Sequence, residues 1–129
     1  MSEFPINPKL SIILAHCEVI GPRMDLTLKM ALDTGATYTI IPVEAAVSIG
    51  CDPTKSQKRI EITTGSGVEY VPMVTIAEFR AFGIVVKHFS VICHTLPSQS
   101  PVEGLIGLDF MKKSGITIDF TRNIIKTPQ

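Results

Sequence analysis

Apolar and polar residues alternate with a period of two over much of this chain, and stretches suited to helix are few and short. Between Asp25 and Asp33, Leu26, Leu28, Met30 and Leu32 alternate with polar partners, which is the pattern of a half-buried strand. Leu10 to His16, Thr37 to Ile41 and Ile84 to Cys93 read as further strands, rich in β-branched and apolar residues. Arg59 to Thr64 and Val68 to Ile76 flank Gly65-Ser66-Gly67 and predict a hairpin with a glycine-lined tip. Gly21-Pro22 and Gly83 mark turns, and Thr95 to Glu103, with two prolines, reads as a surface loop. Gly104 to Gly107 is a short apolar strand; Ile116 to Phe120 and Asn123 to Lys126 make a closing strand pair across Thr121-Arg122. Pro42 opens a short helix over Val43 to Ile49 with Gly50 as its stop, and Leu108 to Lys113 predicts one or two turns ended by Gly115. Many short strands and little helix predict an all-β fold: a small, closed, barrel-like domain with one or two short helices. Residues 1–9, with Pro5 and Pro8, are expected to form a loose N-terminal arm, and residues 10–129 the domain.

The length of 129 residues fits one hydrophobic core. Twelve Lys and Arg balance twelve Asp and Glu, which argues against a nucleic-acid partner, since such proteins usually present a basic face. No apolar run approaches the roughly 20 residues that cross a bilayer, and the first residues lack the basic and apolar segments of a signal peptide. The expectation is a cytoplasmic protein without a membrane partner. Cys17, Cys51 and Cys93 are odd in number and irregular in spacing, so free buried thiols are expected rather than a disulfide framework. The pairs His16-Cys17 and Cys93-His94 are poor zinc ligands, because neighbours on a strand point to opposite faces. No metal or other cofactor is expected, and His88 is expected to face solvent from a strand.

The segment with chemical content is Ala31-Leu32-Asp33-Thr34-Gly35-Ala36-Thr37. A strand delivers a carboxylate into a tight loop, where Gly35 allows main-chain N–H groups close to Asp33. Thr34 is small and its hydroxyl both donates and accepts. By itself the Asp-Thr-Gly triplet is weak, because a plain turn capped by its own aspartate uses the same residues.

Its context is more telling. ALDTGATYTIIP resembles the active-site loop of aspartic peptidases, and the alanine after the glycine resembles the retroviral branch. Leu105-Ile106-Gly107, followed by Leu108-Asp109-Phe110-Met111, is similar to the family segment that packs beside and supports that loop. Gly65-Ser66-Gly67 stands where the tip of the family's flap hairpin belongs. The resemblance runs from about Leu10 to Lys126 and is closest to small cellular retropepsin-like peptidases of microbes. It implies Asp33, Thr34 and Gly35 as catalytic residues, and Ala36, Gly65, Ser66 and Gly67 as substrate-binding residues. It also implies an extended peptide substrate, held between flap and floor.

The chemistry needs two carboxylates sharing one proton, and this chain has one Asp-Thr-Gly. Asp25, Asp52, Asp109 and Asp119 are not followed by a small residue and a glycine; Asp109 suits a helix cap or a bond to nearby backbone. A homodimer, one Asp33 from each copy, supplies the pair, and the resemblance implies that Thr34 bonds across its axis. Two departures limit the transfer: Thr37-Tyr38-Thr39 is not acidic, and the flap tip carries fewer glycines than a retroviral flap. The terminal strands that join retroviral subunits are not recognisable. The expected activity is an aspartic endopeptidase; the alternative is a dimeric peptide-binding or assembly module on the same fold.

Overall fold

The computed structural model describes residues 1–128. In chain order the strands are β1 (Ser2–Pro5), β2 (Ile13–Ile20), β3 (Asp25–Leu32), β4 (Ile40–Ile41), β5 (Arg59–Thr64), β6 (Gly67–Ala81), β7 (Ile84–Cys93), β8 (Gly104–Ile106), β9 (Thr117–Asp119) and β10 (Ile124–Thr127). Helix α1 (Val43–Ile49) follows β4, and α2 (Leu108–Ser114) follows β8. Each helix stops at a glycine in the left-handed region, Gly50 and Gly115.

The strand order β2-β3-β8-β4-β7-β6 closes on itself through pairing of β6 with β2, giving a six-stranded barrel. The fold is therefore all-β and closed, with the two short helices predicted. Closure depends on the length of β6. Its first half pairs with β5 from Arg59↔Pro72 to Thr64↔Gly67; its second half pairs with β7 from Met73↔Ile92 to Ala81↔Ile84. Glu78 to Arg80 pair in addition with β2. The change of partner falls at Pro72, which has no N–H to give to a ladder. The β5–β6 hairpin thus projects from the barrel as a flap.

Alternation decides what the barrel encloses. Along β3, Leu28, Met30 and Leu32 are buried while Thr27 and Lys29 are exposed. Along β2, Ala15, Cys17 and Val19 point inward, and His16 and Glu18 outward. Phe79 and Phe89 meet Phe110 of α2 with ring centroids 5.4, 5.3 and 6.4 Å apart, so α2 docks onto the core through an aromatic trio.

Residues 1–9 are not the loose arm expected. Ser2–Pro5 pairs antiparallel with Ile124–Thr127, which pairs in turn with β9, forming a separate three-stranded sheet. Phe4 packs edge-on against Phe82 at 5.7 Å. Burial of Phe4 and the ladder to β10 offset the ordering cost that Pro5 alone would not have suggested. No helix among the described residues is long and apolar enough to cross a membrane.

Candidate active site

Asp33 stands at the end of β3, where the parallel pairing Leu32↔Ile106 leaves the ladder. Its N–H donates to the Ile106 carbonyl at 2.9 Å, so the residue enters its loop from a fixed position. The Ala36 N–H then donates to the Asp33 carbonyl at 3.1 Å, closing a tight turn. Gly35 donates its N–H to Asp33 Oδ1 at 2.8 Å. A Cβ on Gly35 would lie only 3.1 Å from that same oxygen, so the approach that makes this bond favours glycine. One carboxylate oxygen is thereby oriented by main chain, and Oδ2 has no hydrogen-bond partner among the described residues. Thr34 is exposed, and its hydroxyl likewise bonds nothing among the described residues.

The loop is held from behind by the segment after β8. Leu108 donates to the Ala36 carbonyl at 2.8 Å, and Gly107 donates to Thr39 Oγ1 at 3.2 Å. A Cβ on Gly107 would stand 2.6 Å from the Tyr38 carbonyl carbon and 2.8 Å from the Ala36 oxygen, so two stretches of backbone touch there. Leu105 reaches the cleft itself, and Ile106 is fully buried beneath Asp33.

A further anchor was hidden in the sequence. Asp109 accepts from the Thr39 N–H at 2.9 Å and from Thr39 Oγ1 at 2.8 Å, and Thr39 is fully buried. It also accepts from the Phe110 N–H at 2.8 Å. This carboxylate clamps the far end of the Asp33 loop to α2. Asp109→Ala would leave the buried Thr39 hydroxyl and N–H short of an acceptor. A loss of about 2–4 kcal/mol is expected, measured by urea unfolding. An unchanged midpoint would mean the clamp carries no stability.

A cleft of about 990 Å³ opens above the loop. Its floor is Asp33, Gly35, Ala36 and Tyr38; the flap contributes Ile62, Gly65 and Ser66; Leu96 closes one side. Gly67, expected with the tip, does not line it. The flap turn is stapled by Thr64 Oγ1, 3.2 Å from Ser66 Oγ and donating to the Gly67 carbonyl at 3.2 Å. Asp33 also borders a second groove of about 620 Å³ on the other side of the loop, lined by Leu10, Ile13, Val102 and Phe120.

The thiols stand apart from this chemistry. Burial pushes Cys17 and Cys93 up to about 12, which keeps both protonated and weakly nucleophilic. His16 is exposed on the face of β2 opposite Cys17, and His88 is also exposed. His94 lines the cleft, but no group of three metal-ligating side chains occurs among the described residues.

With this geometry in view, residues 24–113 match the family model described as "gag-polyprotein putative aspartyl protease". The chain belongs to the retropepsin-like aspartic protease family. The matched span runs from the β2–β3 turn through α2 and contains the Asp33 loop, the flap and the supporting segment. Among solved structures, the chain is similar to a retropepsin-like aspartic protease from Rickettsia conorii, at 19% identity and a TM-score of 0.71, covering 98% of this chain and 88% of that one. It is also similar to the retroviral protease-like domain of Ddi1 from Leishmania major, at 19% identity and a TM-score of 0.60, covering 94% and 91% respectively. The first of these likenesses covers nearly the whole chain, beyond the span of the family match. A search of curated protein sequences gives no match.

Proposed function

We propose that the chain is one subunit of a homodimeric aspartic endopeptidase, in which Asp33 of each copy meets its twin at a twofold axis. The observation that carries this is the place of Asp33 on the boundary between two cavities, with one carboxylate oxygen held by Gly35 and the other free. The larger cleft has room for an extended peptide beneath the flap.

The second groove suits another copy of the chain. Leu10 and Phe120 line it with 44% and 67% of their surface exposed, apolar side chains that a second copy would cover. The exposed, unbonded Thr34 hydroxyl adjoins Asp33 and would gain a partner across the axis. Of the chain's four other aspartates, Asp52 bonds Thr54, Asp109 bonds Thr39, and Asp119 accepts from Thr121 and Arg122, while Asp25 is exposed at the opposite end of β3 from Asp33. Glu61 and Glu69 border the cleft, but they belong to the flap and make no hydrogen bond or ion pair with Asp33.

In the proposed reaction the two carboxylates share one proton, because like charges that close do not both ionise. The ionised one takes a proton from water as its oxygen attacks the scissile carbonyl carbon. The protonated one gives its proton to the carbonyl oxygen, and a tetrahedral diol forms. The carboxyl that took the water proton then gives it to the amide nitrogen, while the other carboxylate takes a proton from a diol hydroxyl; the C–N bond breaks, acid and amine leave, and the dyad again holds one proton. Digestion of a mixed peptide library tests the proposal. Defined cleavage products are expected with the native chain and none with Asp33→Asn; equal product from both would refute it.

A further inference from the structure

The flap gives the cleft a charge that the protein as a whole lacks. Acidic and basic residues balance over the sequence, yet the charged carboxylate and ammonium-type side chains lining the cleft are Asp33, Glu61 and Glu69, with no Lys or Arg. The hairpin register explains how Glu69 arrives there. It pairs directly with Ile62, and cross-strand partners share a face, so the face that turns Ile62 to the cleft turns Glu69 to it as well. Glu61 borders the cleft from the edge strand β5, but its side chain lies on the face opposite Ile62. The ion pairs among the described residues are Arg80–Glu78, Arg122–Glu3 and Lys126–Asp119, so neither flap carboxylate is neutralised within the chain. The opposite walls are apolar, with Ile40, Ile92 and Leu96.

We infer that Glu69 selects peptides that place a lysine or arginine beside apolar residues under the flap. The inference rests on reading this cleft as a peptide-binding site. An extended peptide would put its apolar side chains on the Ile40–Ile92 wall, with a cationic one reaching the Glu69 carboxylate. A peptide carrying a glutamate at that place meets the like charge of Glu69, so rejection contributes to selection alongside attraction.

The test uses fluorescein-labelled apolar peptides that are identical except for Lys, Gln or Glu walked along each position. Binding to the folded, full-length Asp33→Asn chain is read by anisotropy, and cleavage by the native chain is read in parallel. At the best position the Lys peptide is expected to bind about tenfold more tightly than the Glu peptide, which corresponds to about 1.4 kcal/mol. That ratio should shrink toward one in a background that adds Glu69→Gln, with folding verified by circular dichroism. It should also shrink in about 0.5 M salt, where the screening length falls to a few Å. Equal binding of Lys and Glu peptides overturns the inference, as does a preference that survives Glu69→Gln, or the absence of binding by any peptide. A Lys preference that vanishes with Glu69→Gln upholds it even if the native chain cleaves nothing; that result would instead refute the peptidase reading.

Discussion

Replacing Asp33 by Asn is expected to lower peptide hydrolysis by at least about a thousandfold, the scale of a lost general base, while the chain stays folded. The side chains are nearly isosteric, and the Asn carbonyl oxygen can still accept the Gly35 N–H that now reaches Asp33 Oδ1 at 2.8 Å. What disappears is the capacity to take a proton from water. The melting temperature should therefore hold or rise, since the substitution removes the cost of keeping an ionised carboxylate in close company with a second one at the proposed axis. Loss of activity together with loss of folding would assign Asp33 a structural task. Native activity in a clean Asp33→Asn preparation would remove it from the chemistry.

A large effect on stability is expected from Gly107→Ala. The new methyl would sit 2.6–2.8 Å from the Tyr38 carbonyl group and the Ala36 oxygen, and these are backbone atoms that cannot rotate away. The loop bearing Asp33 and the segment entering α2 would have to part, disturbing the bonds from Leu108 to Ala36 and from Gly107 to Thr39. A cost of about 3 kcal/mol or more is expected, at the upper end for overpacking. For a chain of this size that lowers the melting temperature by roughly 10–15 °C. Gly65→Ala is the control: no atom lies within 4 Å of its would-be Cβ. Thermal melts of the two variants should differ widely, and equal melting temperatures would mean that the contact behind the active-site loop is not tight.

Much of the barrel could be read from local pattern. The alternation of Leu26, Leu28, Met30 and Leu32 gave β3, and Pro42 with Gly50 bounded α1 at Val43–Ile49. The Ile84–Cys93 strand also stands at its predicted bounds. The misses share a cause: they depend on partners distant in sequence. The strand expected over Val68 to Ile76 continues to Ala81 because β7 and β2 flank it, and half-buried Glu78 and exposed Arg80 pair with each other. The strand expected at Leu10 begins at Ile13 and runs on to Ile20, its register set by the full antiparallel ladder with β3. Thr37 to Ile41 keeps strand geometry only at Ile40–Ile41, because Asp109 holds Thr39 in the loop. Ser2–Pro5 is a strand only because Ile124–Thr127 lies beside it.

The site divides in the same way. The Asp33 loop was legible because its chemistry lies within a few consecutive residues, and a glycine two positions after an acid has a local reason to be there. The support from Gly107 was available only through family resemblance; its physical reason is a contact between backbones about 70 residues apart. Asp109 was legible as a helix cap or a bond to nearby backbone, and its bond to Phe110 fits that, but its distant partner Thr39 and the cleft-facing Glu69 had no sequence signal. Each needs a register or a docking that only the folded chain supplies.

The central claim is that each active site uses one carboxylate from each of two subunits, and mixing subunits tests it most directly. Native and Asp33→Asn chains, differently tagged, are combined in equal amounts and allowed to exchange, with exchange verified by native mass spectrometry. Random pairing leaves about a quarter of the dimers fully native, and only these should cleave. Activity per total dimer is predicted to fall to about a quarter of the native value; retention of about half, the result for sites complete within each chain, would contradict the account.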